Sequence, residues 1–276
     1  MPRTLIALAK SSHPVPGLAV TAITVVLAVG VGLEPWRVAL VGAVMLLGQV
    51  SVGLSNDWVD AARDRAVGRT DKPVAAGVIS TVLARNVAFA TALLGIILTI
   101  PLGAAATAAH AAFIVSAWGY NLGLKSTPAS VLPYIVSFGS LPVVVTLSLP
   151  EPVLPSWWAV AAGSLLGIAA HIANVLPDLD DDRATDVRGL PHRMGQRVSA
   201  LVIAGSLAAA SCSIVLGIGG AGVLEYVGLA ATIAIAVASA VLVVSRPRSG
   251  VVFRLIIACA LLNVVLLAAA GPRILA

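Results

Sequence analysis

Nine separate stretches of this 276-residue chain are apolar over the length of a bilayer-crossing helix: 15–33, 37–56, 79–100, 104–122, 128–149, 157–177, 198–218, 223–245 and 251–270. A spanning helix needs about 20 predominantly apolar residues. Hydrocarbon offers the backbone no water, so such a stretch closes its own hydrogen bonds as a helix. The fold class that follows is all-α. It is a polytopic membrane helical bundle of about nine transmembrane helices, read as a single integral-membrane domain over residues 1–276. The third and fourth stretches are separated only by Pro101, the weakest boundary of the set. The first stretch follows Arg3, Lys10 and His13 in the manner of a signal peptide. Its apolar run is long and lacks a clear small-residue cleavage site, so it reads as a retained helix.

Charge is scarce enough for its placement to be informative. Only 11% of residues are charged, against about 25% in an average soluble domain. With the N-terminus inside, fifteen of the seventeen bases fall on inner segments, and only Arg37 and Arg273 fall outside. That bias orients the bundle in a cell membrane with its N-terminus cytoplasmic. The net charge of +5 is therefore topological, and it gives no sign of a nucleic-acid partner. The partner that composition demands is the lipid bilayer. Cys212 and Cys259 lie inside apolar stretches and read as small buried hydrophobes.

Nine of the twelve carboxylates sit in two short stretches, both on the expected cytoplasmic side. The first holds Asp57, Asp60 and Asp64, at i, i+3 and i+7 on one helix face, followed by Asp71. The second holds Asp178, Asp180, Asp181, Asp182 and Asp186. Within it, Asp178, Asp182 and Asp186 share a face if the helix continues. Asn56 and Asn174 stand at the membrane ends of the two groups. Clustered acid at the end of an apolar helix is costly, and it persists where a cation neutralises it. Oxygen-rich clusters suit hard divalent cations, and Mg²⁺ commonly holds phosphates. The substrate class so indicated is a diphosphate handled at a membrane surface. One cluster alone would be ordinary for a solvated loop balancing its arginines; two matched clusters on one side are not.

These residues resemble the UbiA superfamily of intramembrane prenyltransferases. The NDxxDxxxD signature after the second span is matched by Asn56-Asp57, Asp60 and Asp64. A DxxxD signature after the sixth span is matched by Asp178 and Asp182, with Asp186 extending it. Arg69-Thr70-Asp71-Lys72-Pro73 with Gly77 is similar to the family's RTxxRP stretch, one residue shorter and with Lys for Arg. Tyr120-Asn121 with Lys125, and the run Arg188 to Gly195, resemble further family elements. The resemblance implies a prenyl diphosphate held by Mg²⁺ between the two acidic helices, with loss of diphosphate and capture of the allylic cation by an acceptor. It implies Asp57, Asp60, Asp178 and Asp182 as catalytic metal-binding residues, with Asp64 and Asp186 as further ligands and Asp180 and Asp181 as second choices. Asn56, Arg69, Lys72, Tyr120, Asn121, Lys125, Asn174 and Arg193 are the expected substrate-binding residues.

The remaining polar residues are less telling. His110 and His171 lie within spans, where a lone His most often makes an interhelical hydrogen bond. His171 and Gln49 share the spacing of the acidic faces and stand as candidates to face the same cavity. Trp58, Trp118 and Tyr120 are the few candidates for walls around a cation, and Trp157 and Trp158 read as an outer interfacial belt. The acceptor is not legible. Three functions compete: prenyl transfer to a lipophilic or aromatic acceptor, a terpene cyclase of the same superfamily acting without an external acceptor, and a cation or metabolite transporter. Acids at one membrane face disfavour the last, whose sites tend toward the midplane.

Overall fold

The computed structural model describes residues 2–176, 188–245 and 250–276, and the expected second acidic group at 178–186 lies outside them. Ten α-helices account for most of the described chain. They are α1 (Pro2–Ser11), α2 (Pro14–Gly30), α3 (Pro35–Ala66), α4 (Thr81–Thr99), α5 (Ala104–Leu122), α6 (Leu132–Leu147), α7 (Trp157–Val175), α8 (Leu190–Gly217), α9 (Val223–Ser245) and α10 (Gly250–Ala269). Among the described residues no strand forms, and Pro155 and Leu275 make an isolated bridge. Each of the nine expected stretches holds one helix. Five helices are by themselves long and apolar enough to cross a membrane, or six when α1 and α2, bent by 65°, are taken as one span. The chain is thus a multi-pass integral membrane protein.

The breaks have local causes. α2, α3 and α6 each begin with Pro in the first turn, where its missing N–H costs nothing. Pro101 sits in a 3₁₀ turn, Ile100–Leu102, and Gly103 follows at φ 113°. The weak boundary of the sequence is therefore a true break, and α4 and α5 are separate helices.

Sequence neighbours pack in order, and α10 returns against α2, so the helices close a ring. α6 and α7 approach each other closely. A Cβ on Gly163 would stand 2.6 Å from the Phe138 carbonyl, and one on Gly167 would strike the Tyr134 carbonyl. Gly163 and Gly167 form a GxxxG pair, which lets two backbones touch where apolar burial gives no advantage over lipid. Trp158 departs from expectation. Only Trp157 is exposed; Trp158 is buried in the core and fills the space beside Gly217. Indole bulk is accommodated there because Gly217 presents no side chain.

The two ends of the bundle are chemically distinct. At one end Arg37 donates to the Ser148 carbonyl at 2.7 Å, and Arg273 pairs with Glu225 at 2.9 Å. Glu225 lies in the first turn of α9 and accepts from the Gly222 N–H; it does not lie on a loop. The two bases that break the charge bias are thus bound in place. The opposite end carries the acidic helix face.

Candidate active site

α3 is 32 residues long, roughly 48 Å at 1.5 Å per residue. That exceeds the ~30 Å hydrocarbon layer, so its last turns carry Asn56 to Asp64 past the apolar zone. Asp57, Asp60 and Asp64 are nonetheless buried, at 2%, 5% and 4% exposure. Neighbouring segments fold over them. Gly68, at φ 73°, takes the left-handed position after α3, and the Arg69 N–H bonds back to the Asp64 carbonyl. This glycine-ended reversal returns the chain over the acidic face. Lys72 Nζ then lies 2.9 Å from Asp64 Oδ2 and 3.5 Å from Asp57 Oδ1.

Two further segments complete the polar end. Beyond α5 a short 3₁₀ turn delivers Lys125, which pairs directly with Asp60. Arg63 Nη2 lies 2.9 Å from the other Asp60 oxygen, Oδ2. Asn56 donates to Asp60 at 3.2 Å and to Asn121 at 3.3 Å, and Asn121 donates to Ser55 and the Val52 carbonyl. From the α1–α2 elbow, His13 Nε2 reaches Asp57 Oδ1 at 2.9 Å. Burial pulls the Lys72 ammonium pKa down, but the Asp64 hydrogen bond and the Asp57 charge outweigh it, so the value lies above that of an ordinary lysine. Lys125 goes the other way: burial lowers its pKa in spite of Asp60.

These groups form the polar mouth of a cavity of about 760 Å³. Of the expected residues, Asn56, Asp57, Asp60, Asp64, Arg69, Lys72, Tyr120, Asn121, Lys125 and Asn174 line it, as do His171 and Gln49. Arg69 is also held by a bidentate pair with Asp71 at 2.9 Å, and that hydrogen bond keeps the Asp71 carboxyl down at about 2. Arg193 is exposed and does not line the cavity; His192 does. His110 lies elsewhere and bonds Thr99 Oγ1 at 2.8 Å, a packing role. Trp58 and Trp118 pack at tilted angles against Phe89 of α4 and do not line the cavity. The aromatic wall is Tyr120 with Tyr134, Phe138 and Phe113, and Tyr134 lies 4.9 Å from the His171 ring. A smaller apolar recess of about 310 Å³, between α2, α6, α7 and α10, shares Phe138, Ala170 and Asn174 with the main cavity.

The sequence reading missed His13 and the Tyr134–Phe138 wall. The wall left a signal, two aromatics at i and i+4 in an otherwise aliphatic and small-residue helix. His13 left none, since 44 residues separate it from Asp57.

The donors fit a hard cation. Asp57 Oδ2 is buried without a hydrogen-bond partner, and carboxylate and amide oxygens are what Mg²⁺ takes. Among the described residues no three such groups converge to hold a metal unaided. Asp178, Asp180, Asp181, Asp182 and Asp186 lie outside those residues.

Comparison with known proteins agrees with this geometry. The model of the UbiA prenyltransferase family matches residues 17–267. The chain is 32% identical over 130 residues to a 4-hydroxybenzoate octaprenyltransferase of Ralstonia nicotianae, a match covering 46% of this chain and 44% of that one. The match thus spans less than half the length of that curated relative. In fold it is similar to a UbiA homologue of Archaeoglobus fulgidus bound to DMAPP and Mg²⁺, with TM-score 0.73, 15% identity, and 95% and 98% of the two chains covered. It is also similar to a UbiA homologue of Aeropyrum pernix K1, with TM-score 0.68, 20% identity, and 88% and 94% covered. With its family model matched across nearly the whole chain, the protein belongs to the UbiA prenyltransferase family.

Proposed function

We propose that the protein is a Mg²⁺-dependent intramembrane prenyltransferase. It ionises a prenyl diphosphate at the cytoplasmic end of the bundle and transfers the prenyl group to a lipophilic or aromatic acceptor. The observation that supports this most is the pairing of one buried carboxylate face, Asp57–Asp60–Asp64, with Lys72 and Lys125 at the mouth of an aromatic-walled cavity. Asp57, Asp60 and Asp64 hold the metal, together with Asp178, Asp182 and Asp186 of the second group. Mg²⁺ supplies positive charge against the departing diphosphate. Lys72 and Lys125, and Arg69 beside them, donate hydrogen bonds to the same leaving group as its negative charge grows. The bond from C1 to the diphosphate oxygen breaks with both electrons going to oxygen. Tyr120, Tyr134 and Phe138 turn aromatic faces to the cation and exclude water. The acceptor's nucleophilic atom then forms the new bond and gives up a proton. Asn56, Asn121 and Asn174 orient the polar ends, and the apolar recess receives the isoprenoid tail.

The Ralstonia relative makes 4-hydroxybenzoate the first acceptor to assay, and the Archaeoglobus homologue makes DMAPP the first donor. Purified protein, donor, acceptor and Mg²⁺ are expected to give a prenylated acceptor, and excess EDTA to abolish it. Full turnover in EDTA would overturn the metal assignment. Cyclised hydrocarbon or alcohol formed from the donor alone would replace transfer with the terpene-cyclase reading.

A further inference from the structure

Asp57 uses its two oxygens unequally. Oδ1 meets His13 Nε2 at 2.9 Å and Lys72 Nζ at 3.5 Å, while Oδ2 is buried, and the Ser11 side chain of the same elbow also acts on this carboxylate. His13 comes from a different element, the elbow where α1 and α2 bend by 65°. Its φ of 50° makes it the non-glycine residue held in the left-handed region among the described residues. Such strain survives only where the surroundings impose it. Here they do. Gly53 lies one turn before Asp57, and a Cβ there would strike the Ser12 main chain, so the elbow rests directly on α3. Pro14 then starts α2 and fixes the exit direction.

We infer that His13 is a positioning residue for Asp57. Its imidazole holds Oδ1 and so fixes how the Asp57 carboxylate is presented in the site. The same logic operates in metal sites at large, where a hydrogen-bonding partner behind the ligand sets ligand orientation. The inference rests on the proposed reading of Asp57 as a metal ligand. It also makes the α1–α2 elbow part of the site, so that the N-terminal helix and the acidic helix are set by one contact.

The test is Mn²⁺ binding to the purified full chain, followed by the electron paramagnetic resonance of free Mn²⁺, with no substrate present. Wild type is expected to bind saturably and Asp57→Asn to lose most of that affinity. His13→Ala and His13→Gly are each expected to weaken binding by about 10–100-fold, the usual effect of losing such a partner. His13→Gln, whose amide nitrogen reaches the Nε2 position, is expected to recover most of it. Glycine relaxes the left-handed backbone while deleting the imidazole. A loss in His13→Ala that His13→Gly repairs would therefore reduce His13 to a backbone role and overturn the inference. Wild-type affinity in both, with Asp57→Asn impaired, would overturn it while leaving the metal reading intact. Asp57→Asn binding as wild type, or no saturable binding by wild type, would bring down the metal reading and this inference with it.

Discussion

Three carboxylates survive burial here because each is answered by a cation from elsewhere in the chain. Asp60 has Lys125 and Arg63, Asp64 has Lys72, and Asp57 has Lys72, with the His13 ring at hydrogen-bond distance beside it. Losing the sole partner of a buried charge costs about 3–5 kcal/mol; loss of Lys125 leaves Asp60 with Arg63 and costs less than that. Lys125→Met should therefore lower thermal stability in detergent as well as activity, whereas Lys125→Arg should retain stability. Asp57→Asn and Asp60→Asn remove charge from the proposed metal set. Each should cut initial rates at least about tenfold, or roughly 1.4 kcal/mol of barrier. Glu151→Gln, on an exposed turn at the other end, should leave the rate unchanged. Equal losses at Asp60 and Glu151 would show that the acidic face is not special.

At the scale of elements, α6 and α7 are held in contact by small residues, and that contact sets the aromatic wall. Tyr134 and Phe138 lie on α6, and His171 on α7, on the two sides of the Gly163–Gly167 seam. Gly167→Ala puts a methyl group against the Tyr134 carbonyl and must part the helices. Overpacking of this kind costs about 1–3 kcal/mol, readable as a lower unfolding temperature in detergent together with reduced turnover. Gly205→Ala on α8 meets open space and has no left-handed backbone. It should be neutral or stabilise by about 0.5–1 kcal/mol through helix propensity. If both variants unfold alike, close approach is not what holds α6 to α7.

At the scale of the molecule, the reading depends on sidedness. Arg37, Arg273, Glu225 and the Ser148 carbonyl gather at the end opposite Asp57, Lys72 and Lys125. The break at Ile100–Gly103 makes α4 and α5 two helices, which keeps everything downstream in phase with that division. In a Cys212→Ser, Cys259→Ser background, Thr70→Cys should react with an impermeant maleimide only after lysis. Glu151→Cys should react on whole cells. The reverse pattern would place the acidic face outside the cell and end the cytoplasmic assignment.

The placement of the apolar helices and the shared acidic face were legible because their causes are local. Apolar run length fixes where a helix can cross, and the i, i+3, i+7 spacing fixes that Asp57, Asp60 and Asp64 share a face. Lys72 was within reach because only a glycine-ended turn separates it from Asp64. What tertiary structure alone decided are meetings across the chain. His13 touches Asp57 because Gly53 admits the elbow, Trp158 enters the core because Gly217 leaves it room, and Trp58 and Trp118 pack against Phe89 of α4 away from the cavity. In a chain apolar on nearly every side, periodicity does not tell a lipid-facing helix surface from a protein-facing one. Which surfaces meet is settled by where small residues let backbones close and by which buried charges must find a partner.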